Sequence, residues 1–244
     1  LGAFRSGAQL VSYEVPMLLS LLIPVLLAHS MNMTTIVEAQ KIWFIVLVPA
    51  SALLFFLSSL AEIGRAPFDL IEADSEIVAG YVTEYSGMKF AMFFAGEYLH
   101  AYVVGVIFAV LFMGGWRGPW AEDYQVLGVF YLMIKSSAAY FVVLWLRNSL
   151  PRFRVDQLMA LNWKVFTPMA LLLLMGTAIV EKTFYADGAM TLPLVIGLIA
   201  VNVVVVVLTI IGLRVSYNNR KVDRVEFEQR PVAVPPTDET QAAA

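Results

Sequence analysis

Six runs of about twenty apolar residues dominate this chain, at roughly 10–30, 42–61, 89–113, 126–147, 165–182 and 190–213. Each is about 18–25 residues long, which at 1.5 Å per residue crosses a hydrocarbon core about 30 Å thick. In hydrocarbon a backbone must satisfy its own polar groups, so such runs fold as helices. The predicted fold is all-α: a polytopic transmembrane helix bundle with six spans. Composition agrees. Of 244 residues 60% are hydrophobic and 14% charged, whereas soluble domains are about 45–50% apolar and about 25% charged.

Several of the runs contain residues that need a reason. Pro16 and Pro24 lie in the first and Pro49 in the second. Proline is tolerated in a membrane helix when neighbours bond the carbonyls it frees. There is no cysteine and there are two histidines, His29 and His100. That excludes a thiolate-held iron–sulfur cluster and argues against a zinc site; no metal site is expected. No phosphate loop, dinucleotide fingerprint or nucleophile elbow occurs, and nothing supports nucleic-acid binding. The chain begins with Leu1 and no signal-peptide pattern precedes the first run, so further N-terminal sequence is expected.

Six spans place both ends on one side. Twelve Lys and Arg fall on that side and three on the other (Lys41, Arg117 and Lys182), with Lys135 inside a span. The positive-inside rule puts the richer side in the cytoplasm or its organellar equivalent. WRGPW at 116–120 then sets two tryptophans at the outer interface. Residues 1–213 read as the membrane domain. Residues 214–244 are polar and proline-containing, and read as a disordered cytoplasmic tail.

The inner side carries AEIGRAPFDLIEADSEIVAGYVTEYSG at 61–87, with six carboxylates against one base, Arg65. Residues 69–81 are predicted to form a short amphipathic inner-side helix, with Asp69 as N-cap, Glu72 completing a capping box and Gly80 as stop. At 100° per residue, Leu70, Ile77, Val78 and Tyr81 form one apolar stripe, with Asp69, Glu72 and Glu76 opposite. Asp74 falls in the middle of the stripe. Charges opposite a stripe are ordinarily just solvated. A carboxylate within it is costly unless paired or protonated, and desolvation raises its pKa.

Other ionisable groups lie in or beside the spans. Glu97 sits about 12 Å along its helix from Lys89, with His100 three residues on and sharing its face. Lys135 is near the middle of the fourth span, Glu14 near the start of the first, and Glu62 at the end of the second. A mid-bilayer charge costs at least about 2.5–3.5 kcal/mol and marks a proton or ion path more often than not. The bland alternative is a static Glu97–Lys135 pair that fixes helix packing. The expected proton path runs from Asp74, Glu76 and Glu62 through Glu97 and Glu14 toward Lys135. A second inner cluster, Arg147, Arg152 and Arg154, balances the acidic loop, docks an acidic partner, or simply anchors the inner side.

Three blocks resemble one family: FRSGAQLVSYEVP at 4–16, the acidic stretch continued to AEIGRAPFDLIEADSEIVAGYVTEYSGMKFAMFFAGEY, and LPRFRVDQLMALNWKVFTP at 150–168. They resemble the H subunit, or NADH dehydrogenase subunit 1, family of respiratory NADH:quinone oxidoreductase (complex I). The blocks are long and specific and cover the first 168 residues. The resemblance implies an all-helical subunit with no redox centre and no cofactor of its own. It forms the membrane half of the quinone chamber and docks a peripheral arm whose terminal iron–sulfur cluster reduces quinone. Its partners are the other membrane-arm and peripheral-arm subunits, quinone and lipid.

By motif position the resemblance makes Asp69, Glu72, Asp74, Glu76 and Glu84 loop acids, and Glu14, Glu62 and Glu97 channel glutamates. It puts Arg65 and Phe68 in the RAPFD motif at the chamber, and Arg147 and Arg152 in the basic inner loop. It places the chain as a multi-pass protein in a bacterial inner membrane or a mitochondrial inner membrane. Two departures stand out. The family usually has Glu where this chain has Asp74, and it begins with about three further helices, which would make nine spans in all. The alternatives are a membrane anchor of an energy-converting hydrogenase or related dehydrogenase, and a stand-alone ion antiporter.

Overall fold

The computed structural model describes residues 2–64, 68, 85–121, 124–149, 155–184 and 192–228. Every regular element among them is helical. In chain order these are α1 (Gly2–Ala28), α2 (Met33–Ala39), α3 (Phe44–Leu47), α4 (Pro49–Glu62), α5 (Met88–Phe112), α6 (Gln125–Ser149), α7 (Val155–Leu161), a π-helical turn (Asn162–Phe166), α8 (Thr167–Phe184) and α9 (Leu192–Glu228). Among the described residues five stretches are long and apolar enough to cross a membrane: Gly7–Ala28, Met88–Phe112, Gln125–Leu146, Gln157–Phe184 and Leu192–Val215. They correspond to five of the six expected spans.

The other, 42–61, is a broken helix. Its pieces meet at Val48, which ends α3 and precedes Pro49, the first residue of α4. Pro49 cannot donate to the preceding turn, so the ladder stops there. The break is covered by the first part of α9. Asn202 Oδ1 accepts the Ala50 N–H at 3.2 Å, while its Nδ2 donates to the Leu198 carbonyl at 2.8 Å.

The prolines of α1 are handled by the same logic. A proline frees the carbonyl four residues earlier, here Ser12 for Pro16 and Ser20 for Pro24. Both freed oxygens have donors from neighbouring helices. Asn162 Nδ2 donates to Ser12 O, and Ser51 Oγ donates to Ser20 O at 3.1 Å. Each proline thus turns an internal helix bond into an interhelical one, and α1 lies against both α4 and α8.

The fifth span starts earlier than the apolar run at 165 suggests. α7, the π turn and α8 continue one into the next from Val155. The turn widens just ahead of Pro168, whose ring would clash with the Lys164 carbonyl in a regular helix. The Thr167 N–H reaches back to Asn162 O instead.

α5 and α6 form an antiparallel hairpin. A Cβ at Gly105 would stand 3.0 Å from the Ser136 carbonyl oxygen, so any side chain there would push the two helices apart by a few tenths of an ångström. The core lies between α1, α4 and the second half of α5, with Phe55, Phe108 and Phe112 packed at centroid separations of 5.4–6.4 Å. Along residues 88–100, by contrast, every side chain of α5 is exposed or half-exposed.

The chain divides into two units at Val206 and Val207. α9 runs on through Glu228, so the expected tail is helical over 214–228, and 229–244 lie outside the described residues. No Gly or Pro occurs between Gly212 and Pro231 to interrupt it. The predicted inner-side helix 69–81 also lies outside the described residues.

Candidate functional site

The site starts where α4 ends. Gly64, at φ 69°, takes the left-handed conformation that closes a helix, and its N–H bonds the Ala61 carbonyl. RAPFD follows in the sequence. Gln9 of α1 joins Ala61 to Phe68 with one amide: its Nε2 donates to Ala61 O at 2.7 Å and to Phe68 O at 2.9 Å. Gln9 is 2% exposed, so both bonds are shielded from water. Phe68 is buried and packs on Tyr13 at 5.9 Å. The Tyr13 hydroxyl donates to the Leu158 carbonyl at 3.0 Å, and its ring meets Phe166 edge-on at 6.2 Å. Gln9 and Tyr13 are one helical turn apart and share a face. That face ties the start of the acidic loop to α7 and the π turn.

Glu62 closes α4 beside this anchor and is half-buried. Two other charges act on it. His100, from α5, is attractive when protonated, and Glu14, from α1, is repulsive. α1 and α5 therefore bring ionisable groups into electrostatic range of Glu62 at the end of α4. Glu14 and His100 are exposed on the surface of this chain and Glu97 is half-exposed. Beyond His100, Tyr102 and Ser136 share a hydroxyl contact of 3.2 Å between α5 and α6.

The opposite end of the bundle is organised differently. Lys135 Nζ donates to the carbonyls of Met113, Gly115 and Arg117 at 2.8, 3.0 and 2.7 Å, and lies 5.2 Å from the Trp43 ring centroid. Three carbonyls and a π face satisfy all three ammonium protons. Gln40 Nε2 donates to Val110 O and Leu111 O, both at 3.0 Å, in the last turn of α5. Arg117 donates to Glu38 O at 2.9 Å. His29 Nε2 lies 3.0 Å from Glu181 Oε1, linking the ends of α1 and α8.

Residues 1–178 match the family model described as NADH dehydrogenase. This chain belongs to that family. It is 47% identical over 178 residues to an H subunit of the NADH-quinone oxidoreductase of Geobacter metallireducens, covering 72% of this chain and 53% of the relative. It is 43% identical over 186 residues to the H subunit of the corresponding enzyme of a Geobacillus species, covering 76% and 56%. To that of Paramagnetospirillum magneticum it is 46% identical over 186 residues, covering 75% and 54%. The chain spans about half the length of the curated relatives it matches.

All predicted site residues fall inside the part matched to the NADH dehydrogenase family. Among them, Arg65, Asp69, Glu72, Asp74, Glu76, Glu84, Arg152 and Arg154 lie outside the described residues, as does the side chain of Arg147. The structure brings Glu14 within electrostatic reach of Glu62 and ties Phe68 to Gln9 and Tyr13 of α1. It does not put Lys135 with these acids. Lys135 is bonded around Met113, some sixteen residues or about 24 Å along α5 from Glu97. Gln9, Tyr13 and Asn162 were not among the predicted site residues. Their only sequence signal was polarity inside two of the family-like blocks.

Proposed function

We propose that this chain is a membrane subunit of a proton-pumping NADH:quinone oxidoreductase, forming part of its quinone chamber and the first section of its proton path. The observation that carries this reading is the place of Glu62 at the end of α4, within reach of the charges of Glu14 and His100, beside the anchored start of the acidic loop. Membership of the NADH dehydrogenase family and the names of the relatives support it.

In this reading electrons arrive from a peripheral partner carrying the terminal iron–sulfur cluster. Quinone takes up two electrons and two protons to become quinol near the acidic loop. The loop acids Asp69, Glu72, Asp74, Glu76 and Glu84, with Arg65, line the chamber wall. A change of charge there alters the field at Glu62, and through it at Glu14 and Glu97, since neighbouring charges set each group's proton affinity. Glu14 is exposed on the surface of this bundle, and charge in a membrane is normally covered by protein or water. Other parts of the assembly therefore complete the path. Arg147, Arg152 and Arg154 form the basic docking surface for the peripheral arm.

The test is quinone-dependent proton pumping by the assembled complex carrying Asp74→Asn or Glu97→Gln. Pumping should fall steeply in each while assembly is retained. Wild-type pumping in both would overturn the reading.

A further inference from the structure

α4 begins without a cap of its own. Val48 precedes it, with no side-chain oxygen to offer, and Pro49 at its first position has no N–H. The first donor of the helix is the N–H of Ala50. Ala50 is 5% exposed, so water does not serve it. An N-cap side chain ordinarily accepts from this second position or from the third. Here Asn202 does so from another helix, its Oδ1 accepting the Ala50 N–H at 3.2 Å. Between 192 and 208 Asn202 is the one polar residue in an otherwise apolar run. A polar group there is costly unless it bonds.

Both ends of this amide are used. Nδ2 donates to the Leu198 carbonyl one turn back on α9 at 2.8 Å, which fixes the side chain. α9 is itself seated on α8 by a reciprocal pair of contacts. A Cβ at Gly176 would stand 2.5 Å from Val201 Cγ1, and one at Gly197 would stand 2.8 Å from Val180 Cγ1. The helix that carries the cap is thus held independently of α4. Ala50 lies within residues 1–178, which match the family, and Asn202 lies outside them. The cap joins the family-matched part of the chain to a helix beyond it. At its other end α4 carries Glu62, after only 14 residues or about 20 Å. A buried donor that loses its acceptor is costly, so without Asn202 α4 shifts until the Ala50 N–H finds another. A short helix moves as one body, and the shift reaches Glu62.

We propose that Asn202 is a positioning residue for Glu62: it caps α4 from α9 and so holds the carboxylate at the far end of α4 within reach of Glu14 and His100. This role rests on the place of Glu62 in the proposed proton path.

Protons translocated per NADH oxidised test it, in vesicles containing the complex with Asn202→Leu, Asn202→Asp, Glu62→Gln or Asn202→Leu combined with Glu62→Gln. Leucine fills the space and offers no acceptor. Aspartate keeps the acceptor and, when protonated, the donor as well. Asn202→Leu should lose at least half of what Glu62→Gln loses from the ratio, while NADH oxidation continues. Asn202→Asp should recover most of that loss. Added to Glu62→Gln, Asn202→Leu should lower the ratio no further. A helix that was merely loosened would lower the thermal midpoint and leave the ratio alone. If Asn202→Leu fails to assemble, the smaller change Asn202→Ala carries the same comparison. Where Glu62→Gln lowers the ratio, three results would each overturn the positioning role and leave the reading of Glu62 standing. They are a wild-type ratio in Asn202→Leu, a loss undiminished in Asn202→Asp, and a loss that adds in full to that of Glu62→Gln. A wild-type ratio in Glu62→Gln would overturn both.

Discussion

The two ends of the bundle put polar side chains to opposite uses. Around Met113 they are consumed by backbone. Lys135 answers three loop carbonyls, Gln40 two more, and Arg117 another. Around Glu62 an amide does the anchoring, from Gln9 to Ala61 and Phe68, and the carboxylates are left to feel one another's charge. A buried polar group fully satisfied by fixed partners rigidifies a structure. One that senses a neighbour's charge responds when that charge changes. An ionisable residue in a membrane span is thus no guide to function until its partners are known, and Lys135 and Glu62 are the contrast that teaches it.

The largest effect should come from removing the clamp at the Met113 end. Lys135→Met leaves three carbonyls without their donor, and an unmet buried group costs about 1–3 kcal/mol, so a loss of about 3 kcal/mol or more is expected. A fall in the thermal midpoint of the complex would register it. Proton pumping per electron should be unchanged in the molecules that remain folded. A normal midpoint with impaired pumping would return Lys135 to the proton path and break the comparison.

Next comes the anchor at the Glu62 end. Gln9→Leu removes two shielded bonds, at about 1 kcal/mol each for typical hydrogen bonds and more where an acceptor stays unmet. We expect a loss of about 2 kcal/mol together with faster proteolysis within 65–84 than in Lys135→Met. Equal proteolysis in the two variants would mean that Gln9 does not hold the loop.

The interhelical bond to the Pro24-freed carbonyl should matter less. Ser51→Ala removes the donor to Ser20 O and should cost about 1 kcal/mol, read as a small drop in midpoint. The effect should vanish in a Pro24→Ala background, where the helix can bond that carbonyl itself. Persistence of the full effect there would refute the proline account.

Much of the scaffold was legible in the sequence because hydrophobic length is a strong signal in a membrane. Five runs became spans on that ground alone. The broken second run was marked by Pro49, but its cover, Asn202, comes from about 150 residues away and leaves no local trace. The prolines of α1 named the freed carbonyls, Ser12 and Ser20, but not the donors Asn162 and Ser51. The partners of Lys135 were hidden for the same reason: counting residues puts it near the middle of its span, but a one-dimensional reading cannot see a loop folding back to meet an ammonium. The helical extension of α9 past 213 was hidden because polarity, which argues against burial, does not argue against a helix rich in Arg, Lys and Glu.

The central claim is that the carboxylate at the end of α4 takes part in moving protons, whereas the ammonium on α6 only holds the fold. Protons translocated per NADH oxidised, measured in vesicles containing the complex with Glu62→Gln, test it most directly. The account predicts a complex that assembles normally and a ratio well below the wild-type one. A wild-type ratio in Glu62→Gln would contradict it.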